Sequence, residues 1–340
     1  SDVCSSDLFF AEFLAATGVF ERWVCSCPLQ YRSGNAPDKR DVLGTLMLGL
    51  LAGHRRYAHI TALRGDLVAA QALGMNKIIS EDALRRALER MDEASSTAWM
   101  RPALMHSVRE ALDKPWVLDI DATIKPLYGR QEGAELGYNS AKPGRPSHAL
   151  HTFWVGNLRL VLDVQVSSGK QHSSVHAKAA LGRLLDELED KRPALVRGDS
   201  GYGNEGILLE LESRKQPYLL RLRQTANVQR LVAKQFARGD WSRADNQGCQ
   251  MVEEYLQLQG WTAKRRVVIV RQRIKGGIAR ERRVDGKQLK LDLAGHSVHE
   301  GERMWEYAVL VTDVTYPLES IGQLYRDRAD CENGDRKSVV

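Results

Sequence analysis

The sequence predicts an α/β protein: a mixed sheet flanked by helices and preceded by a helical region. Two observations carry this. From about residue 9 to 114, apolar positions recur at helical spacing and no strand alternation appears. From Lys114-Pro115 onward, three short apolar runs rich in β-branched residues are followed by helix, strand, helix and strand.

The first region contains "DVLGTLMLGLLAGHRRYAHITALRGD", with apolar residues at mixed i+3/i+4 spacing and basic residues close to Gly53. In "SEDALRRALERMDEA", Ser80 is a predicted N-cap ahead of an acidic first turn, and Leu84, Ala87, Leu88 and Met91 form one stripe. The second region opens with the buried strand "WVLDIDATI". A Gly/Pro-rich loop over 129–147 leads to "ALHTFWVG" and "LRLVLDVQVS", joined at Gly156-Asn157 in the manner of a hairpin. "SSVHAKAALGRLLDELED" and "NEGILLELESR" read as helices, and "ALVRGDSGY" and "PYLLRLR" as strands. Between about 225 and 304 the chain turns polar and alternating, which predicts a β-rich insertion. "EYAVLVTD" resumes the sheet, and Pro317 opens a last helix.

Bulk properties narrow the function classes. A chain of 340 residues with 43% hydrophobic content suits about two packed domains. Its net charge of +6 and pI near 9.0 permit a polyanion such as DNA as partner without requiring one. The longest apolar run, "VLGTLMLGLLAG", falls short of the ~20 residues a membrane crossing needs and reads as a buried helix. The amino terminus shows no charged segment followed by an apolar one, so secretion has no support. Among five cysteines only Cys25 and Cys27 lie close together, which makes neither a disulfide framework nor a zinc set. A cytosolic protein with reduced thiols is expected.

Period-two geometry sets Asp119, Asp121 and Thr123 on one face of the first strand. A carboxylate in an apolar strand is costly to bury unless it is paired or holds a cation. Asp199 closes another strand, at "RGDSGYG", and sites in open α/β sheets collect at strand ends. In "LYRDRADCE", Tyr325, Arg328 and Glu332 fall at i, i+3 and i+7, one helix face, so Glu332 is the third candidate carboxylate. Three hard oxygen donors suit Mg²⁺ or Mn²⁺. Two such ions roughly 3.5–4 Å apart activate the attacking oxygen and stabilise the leaving one in phosphoryl transfer. Taken singly, an aspartate at a strand end is usually a turn or cap residue.

Three blocks together resemble the DDE transposases of bacterial insertion sequences, in the IS four superfamily and its IS-thirteen-eighty branch. They are "DIDATIKPLYGRQEGAELGYNSAKPGRPSH" with Asp121 and Thr123, "VRGDSGY" with Asp199, Gly201 and Tyr202, and "YRDRADCE" with Tyr325, Arg328 and Glu332. "GHRRYAHITALRGD" also has the look of this branch, and the resemblance spans most of residues 9–334.

The resemblance implies a ribonuclease H-like catalytic domain over 115–334, interrupted by the β-rich insertion, with a helical DNA-binding region over 9–114. It favours Asp121 over Asp119, with Asp119 in reserve, and makes Asp121, Asp199 and Glu332 both catalytic and metal-holding. Mg²⁺ (or Mn²⁺) is the implied cofactor, and Tyr325 and Arg328 are implied contacts to DNA phosphate. The implied partner is double-stranded DNA, at transposon ends and target, bound by a homodimer in the bacterial cytoplasm at the nucleoid. Water would nick the transposon end, and the released 3′ hydroxyl would attack the opposite strand and later the target. A ribonuclease H-like nuclease and a non-catalytic DNA-binding remnant are the alternatives.

The two ends depart from this pattern. Asp335-Arg336-Lys337-Ser338 and Cys4-Ser5-Ser6-Asp7-Leu8 can be encoded by stretches that are reverse complements, and both resemble translated sequencing-library adapters. Ser1–Leu8 and Asp335–Val340 are therefore expected to be artefact. The family's lysine seven positions after the glutamate would fall at Val339, so the chain as written is expected to be inactive and its parent active.

Lesser features leave alternatives open. His148 and His151 flank the second strand and read as phosphate contacts or as solvated and capping residues. "KRRVVIVRQR" reads as a DNA-facing strand or a solvated sheet face. Trp241, Trp261 and Trp305 read as core residues, or as a platform for a flipped base.

Overall fold

The computed structural model describes residues 5–328 apart from 66, 130, 138, 140, 141, 159, 171, 172 and 274–304. The chain divides into two units, Ser1–Glu110 and Ala111–Val340.

The first unit is helical throughout its described residues. It comprises α1 (Ser5–Ala16), α2 (Val19–Ser26), α3 (Lys39–Leu51), α4 (Ile60–Leu63), α5 (Leu67–Ala72), α6 (Glu81–Leu88) and α7 (Glu93–Val108). Side-chain caps start three of these helices. Asp38 accepts from the Arg40 amide, Ser80 from Ala83 and Asp92 from Ser95, each satisfying an amide the helix cannot. The apolar run of α3 is a buried helix, as expected: Val42, Leu43 and Leu48 join Phe20, Leu63, Leu73, Leu84 and Trp99 in one core. The buried Asp41 is satisfied by the backbone, with Oδ1 accepting from the Asn76 amide at 2.8 Å.

The second unit is built on a mixed sheet. Its elements are β1 (Val117–Pro126), β2 (Glu135–Leu136), β3 (Pro146–Val155), β4 (Leu160–Ser168), α8 (Ser173–Glu187), β5 (Leu195–Gly198) and α9 (Glu205–Ser213). There follow β6 (Tyr218–Arg221), α10 (Ala226–Arg238), β7 (Cys249–Leu256), β8 (Arg265–Arg273), β9 (Trp305–Thr312) and α11 (Leu318–Arg326). Among the described residues the strand order is β2-β3-β1-β5-β6-β9-β8-β7, with β4 also on β3. β1, β5 and β6 run parallel, and the remaining neighbours pair antiparallel. The parallel step from β5 to β6 uses α9 as its crossover, because parallel neighbours cannot be joined by a tight turn.

This is the expected architecture: a ribonuclease H-like mixed sheet with flanking helices, a helical region before it and a β-rich insertion within it. The hairpin at Gly156-Asn157 is present, with Val155 opposite Leu160. The stretch expected to be the insertion supplies α10, β7 and β8. Its strands extend the main sheet, since β8 pairs with β9 and β9 with β6.

The two faces of the sheet differ in chemistry. Leu118 and Ile120 of β1 and Val196 of β5 are buried on one face, and α8 packs on β3, β4 and α9. Val117 and Leu195 lie on the other face, where Ile321, Leu324 and Tyr325 of α11 pack with Leu219, Met251, Val268 and Leu310. That second face also carries Asp119, Asp121 and Arg197.

Candidate active site where the pairing of two parallel strands ends

The register of β1 and β5 pairs Val117 with Leu195, Asp119 with Arg197 and Ile120 with Gly198. Asp121 and Asp199 are the next residues on the two strands, so these carboxylates stand at the same level where the β1–β5 pairing stops, Asp199 just past β5 and Asp121 midway along β1, which continues against β3 to Pro126. In parallel sheets such ends gather the polar residues of a site.

Asp119 and Asp121 share a face but not a role. Asp119 is 1% exposed and locked in a two-pronged pair with Arg197, Nε to Oδ1 at 2.6 Å and Nη2 to Oδ2 at 2.6 Å. Arg197 Nη1 donates to the carbonyl of Leu324, fastening α11 over the strands. Both oxygens of Asp119 are spent, and a fork of this kind satisfies buried charges in full. Gly156 makes room for it: a Cβ there would lie 2.3 Å from Asp119 Oδ2.

Asp121 is half-buried and faces Arg328, whose Nη1 lies 3.4 Å from its Oδ1. Arg328 itself is 4% exposed, and its guanidinium stands 5.8 Å from the Tyr325 ring centroid. Tyr325 lies on α11, and burial raises the pKa of its phenol against the opposing pull of Arg328 and Arg221. The described helix ends at Arg326, and Arg328 occupies the turn that follows, its amide donating to the Tyr325 carbonyl at 3.2 Å. Arg328 therefore reaches Asp121 from a turn and not from the helix face the sequence spacing suggests. Glu332 lies outside the described residues, as do Val339, residues 1–4 and residues 335–340, while Ser5–Leu8 open α1.

Asp199 is held by its own turn. The Gly201 amide donates to Asp199 Oδ1 at 2.8 Å, and the Tyr202 amide donates to the Asp199 carbonyl at 3.1 Å. Asn204 secures the turn from below, donating through Nδ2 to the Gly201 and Tyr202 carbonyls and capping α9 with Oδ1. Gly203 passes so near β6 that a Cβ would sit 2.2 Å from the Arg221 carbonyl oxygen. Tyr202 is fully buried, and its phenol pKa is raised first by burial and then by the charges of Asp199 and Asp121. Both carboxylates thus act on one phenol.

The donor set fits a hard divalent cation as far as it is described. Asp121 and Asp199 are carboxylates at matching levels of neighbouring strands, and a guanidinium stands beside Asp121 where a cation would. Among the described residues, no group of three or more His, Cys, Asp or Glu side chains gathers to hold a metal.

Several expectations resolve differently. His151 is buried at 1% exposure with its Nδ1 3.1 Å from the Tyr202 hydroxyl, so it is no phosphate contact. Burial, and then the charge of His176, lowers its pKa to about 4. The Nε2 of His148 pairs with the Glu132 carbonyl at 2.9 Å. Three arginines of "KRRVVIVRQR" are paired within the unit, and Arg273 at the end of β8 is exposed. Arg265 is buried between Glu205 and Glu212, Arg266 pairs with Glu253, and Arg271 bonds Gln250. Arg271 also lies 3.9 Å from the ring of Trp241 and 4.2 Å from that of Trp305, and Arg265 lies 5.0 Å from Trp261. All three tryptophans are thus engaged by arginines of β8. Sequence reasoning missed Arg197 and the His151–Tyr202 contact. The signal for the first was present: an arginine inside an otherwise apolar strand demands a buried anion.

Comparison with known proteins places this arrangement. The family model described as "Transposase DDE domain group 1" matches residues 30–337. Among curated proteins nothing matches. Among solved structures, a piggyBac transposase synaptic complex with hairpin DNA is similar at 14% identity and a TM-score of 0.44, covering 98% of this chain and 68% of that one. A Mos1 transposase paired-end complex with the left transposon end reaches 11% identity and a TM-score of 0.22, covering 56% of this chain and 61% of that one. The Mos1 strand transfer complex reaches 13% identity and a TM-score of 0.22, covering 56% and 60%. Likenesses this distant add nothing to the family match. With that match running across the strands of Asp121 and Asp199 and the α11 that covers them, the chain belongs to the DDE transposase family, as a member of Transposase DDE domain group 1.

Proposed function

We propose that the protein is a DDE transposase of the IS four superfamily, IS-thirteen-eighty branch, that cuts and joins DNA strands at insertion-sequence ends. The observation that carries the reading is the placement of Asp121 and Asp199 at one level, where the parallel β1–β5 pairing ends, with Arg328 drawn to Asp121. In this reading Asp121, Asp199 and Glu332 hold Mg²⁺ or Mn²⁺. When bound, such ions polarise the phosphoryl oxygens and stabilise charge on the attacking and leaving oxygens.

The protein's own residues position the substrate. Arg328 engages a phosphate through a fork of N–H donors, and Tyr325 offers a hydroxyl beside it. The Asp119–Arg197 pair sits behind the carboxylates and anchors α11, which keeps Tyr325 above the strand ends. Exposed Arg55, Arg56 and Tyr57 of the helical unit belong to the basic stretch that contacts duplex DNA. The active form is a homodimer on DNA, working at the bacterial nucleoid.

The test is Mg²⁺-dependent nicking of DNA that flanks the coding sequence, with Asp121→Asn and Asp199→Asn introduced into a full-length parent and assayed beside it. Each substitution is expected to abolish nicking while duplex binding persists. Cleavage retained in both variants would reject the assignment. A basic interface also predicts that duplex affinity falls steeply as salt rises.

A further inference from the structure

Asp199 stands on a short turn, and a carboxylate on a turn wanders unless something outside the turn holds it. The backbone amides of Gly201 and Tyr202 grip Asp199 itself, but they move with the turn. Among the described residues, a side-chain tie runs from this turn to β3 through the Tyr202 hydroxyl, 3.1 Å from His151 Nδ1. The geometry of that tie is informative. β3 and β5 do not pair with each other, because β1 lies between them. His151 sits opposite Ala122 in the β1–β3 register, one residue beyond Asp121 and on the opposite face of the sheet. The bond therefore spans beneath β1 at the level of Asp121, and Ala122 is the small side chain that β1 presents there.

The chemistry of the tie suits that place. Both rings are buried, at 1% exposure for His151 and 0% for Tyr202, and they meet edge to face with centroids 6.3 Å apart. A neutral imidazole makes the bond in either tautomer, accepting the phenol proton at Nδ1 or donating Nδ1–H to the phenol oxygen. Burial holds the imidazole and the phenol uncharged at neutral pH. An uncharged strut fixes a carboxylate without competing with a cation for it, as an arginine or lysine in the same place would.

We propose that His151 and Tyr202 are a positioning pair, a neutral strut beneath β1 that fixes the Asp199 turn relative to Asp121 for divalent-cation binding. The pair touches neither cation nor DNA, and the inference rests on the reading of Asp121 and Asp199 as cation ligands. Residues that orient ligands from behind commonly cost about 10–100-fold in metal affinity when removed.

The experiment is a Mn²⁺ titration of the full chain followed by electron paramagnetic resonance, with melting temperature measured on the same samples. Tyr202→Phe keeps the ring and removes the hydroxyl, and it is expected to weaken Mn²⁺ binding by about tenfold. Tyr202→Phe combined with His151→Leu replaces the bond by an apolar contact and leaves no buried polar atom orphaned. It is expected to show the same loss as Tyr202→Phe, not a larger one, because both remove one interaction. Native Mn²⁺ affinity in a folded Tyr202→Phe or double variant would overturn the proposal and mark the pair as packing alone. Asp199→Asn separates this from failure of the parent reading: Mn²⁺ binding that Asp199→Asn leaves intact, or that the unaltered protein lacks, overturns both.

Discussion

Asp119 and Asp121 lie two residues apart on one strand face, and their surroundings set them to different work. Asp119 meets a buried arginine and becomes structural, while Asp121 stands just past the β1–β5 pairing, beside Arg328. Replacing Asp119 by alanine strands the Arg197 charge in the core. Urea denaturation of Asp119→Ala is expected to show a loss of about 3–5 kcal/mol, the cost of an uncompensated buried charge. Any folded fraction should keep its Mn²⁺ binding. Arg328 gives a prediction of two opposite signs. Its guanidinium occupies the electrostatic place of a cation at Asp121, so Arg328→Gln is expected to bind Mn²⁺ more tightly without DNA. The same variant should bind duplex DNA more weakly, since a phosphate fork is gone. Resonance titration and fluorescence anisotropy check the two halves, and a fall in both would mark Arg328 as a packing residue. Strand periodicity made both aspartates visible and could not choose between them. The choice required Arg197, a residue far along the chain that only the β1–β5 register brings opposite.

Elements were legible where local rules decide them. The Ser80 cap, the strand of Asp121, the hairpin at Gly156 and the helix opened by Pro317 all stand where pattern and capping place them. Burial decided otherwise for β8. Its alternation of arginine and valine reads as a surface strand, yet Val267, Val268 and Ile269 are fully buried and Arg265 is 5% exposed. Glutamates from α9 meet Arg265, and aromatic rings meet Arg271, so these two arginines are covered, while Gln272 and Arg273 at the strand's end are exposed. The hairpin turn carries a cost test of its own. At Gly156 a methyl group would press on Asp119 Oδ2 at 2.3 Å and Arg197 Nη2 at 3.0 Å. Gly156→Ala is accordingly expected to lose about 1–3 kcal/mol by overpacking. A lowered melting temperature without lost secondary structure by circular dichroism is the measurement that checks it.

At the scale of the whole molecule, each unit owns a core. The helical unit gathers Phe20, Leu43, Leu48, Leu84 and Trp99 from its own segments alone. Residues 1–110 expressed by themselves are expected to fold into a helical domain with a cooperative thermal transition, read by circular dichroism. A broad, non-cooperative melt would show that this core needs the second unit. Among the described residues, no helix is long and apolar enough to cross a membrane. The sequence by itself determined the division into a helical region and a mixed α/β sheet, and it singled out the aspartates Asp121 and Asp199. Periodicity, capping and turn chemistry act over a few residues, so they can be read without coordinates. The partner of Asp119, the strut beneath β1 and the covering of β8 were decided only by tertiary structure. Each depends on pairing between residues distant in the chain, and the free energy of a charge or hydroxyl is set by what surrounds it after that pairing forms.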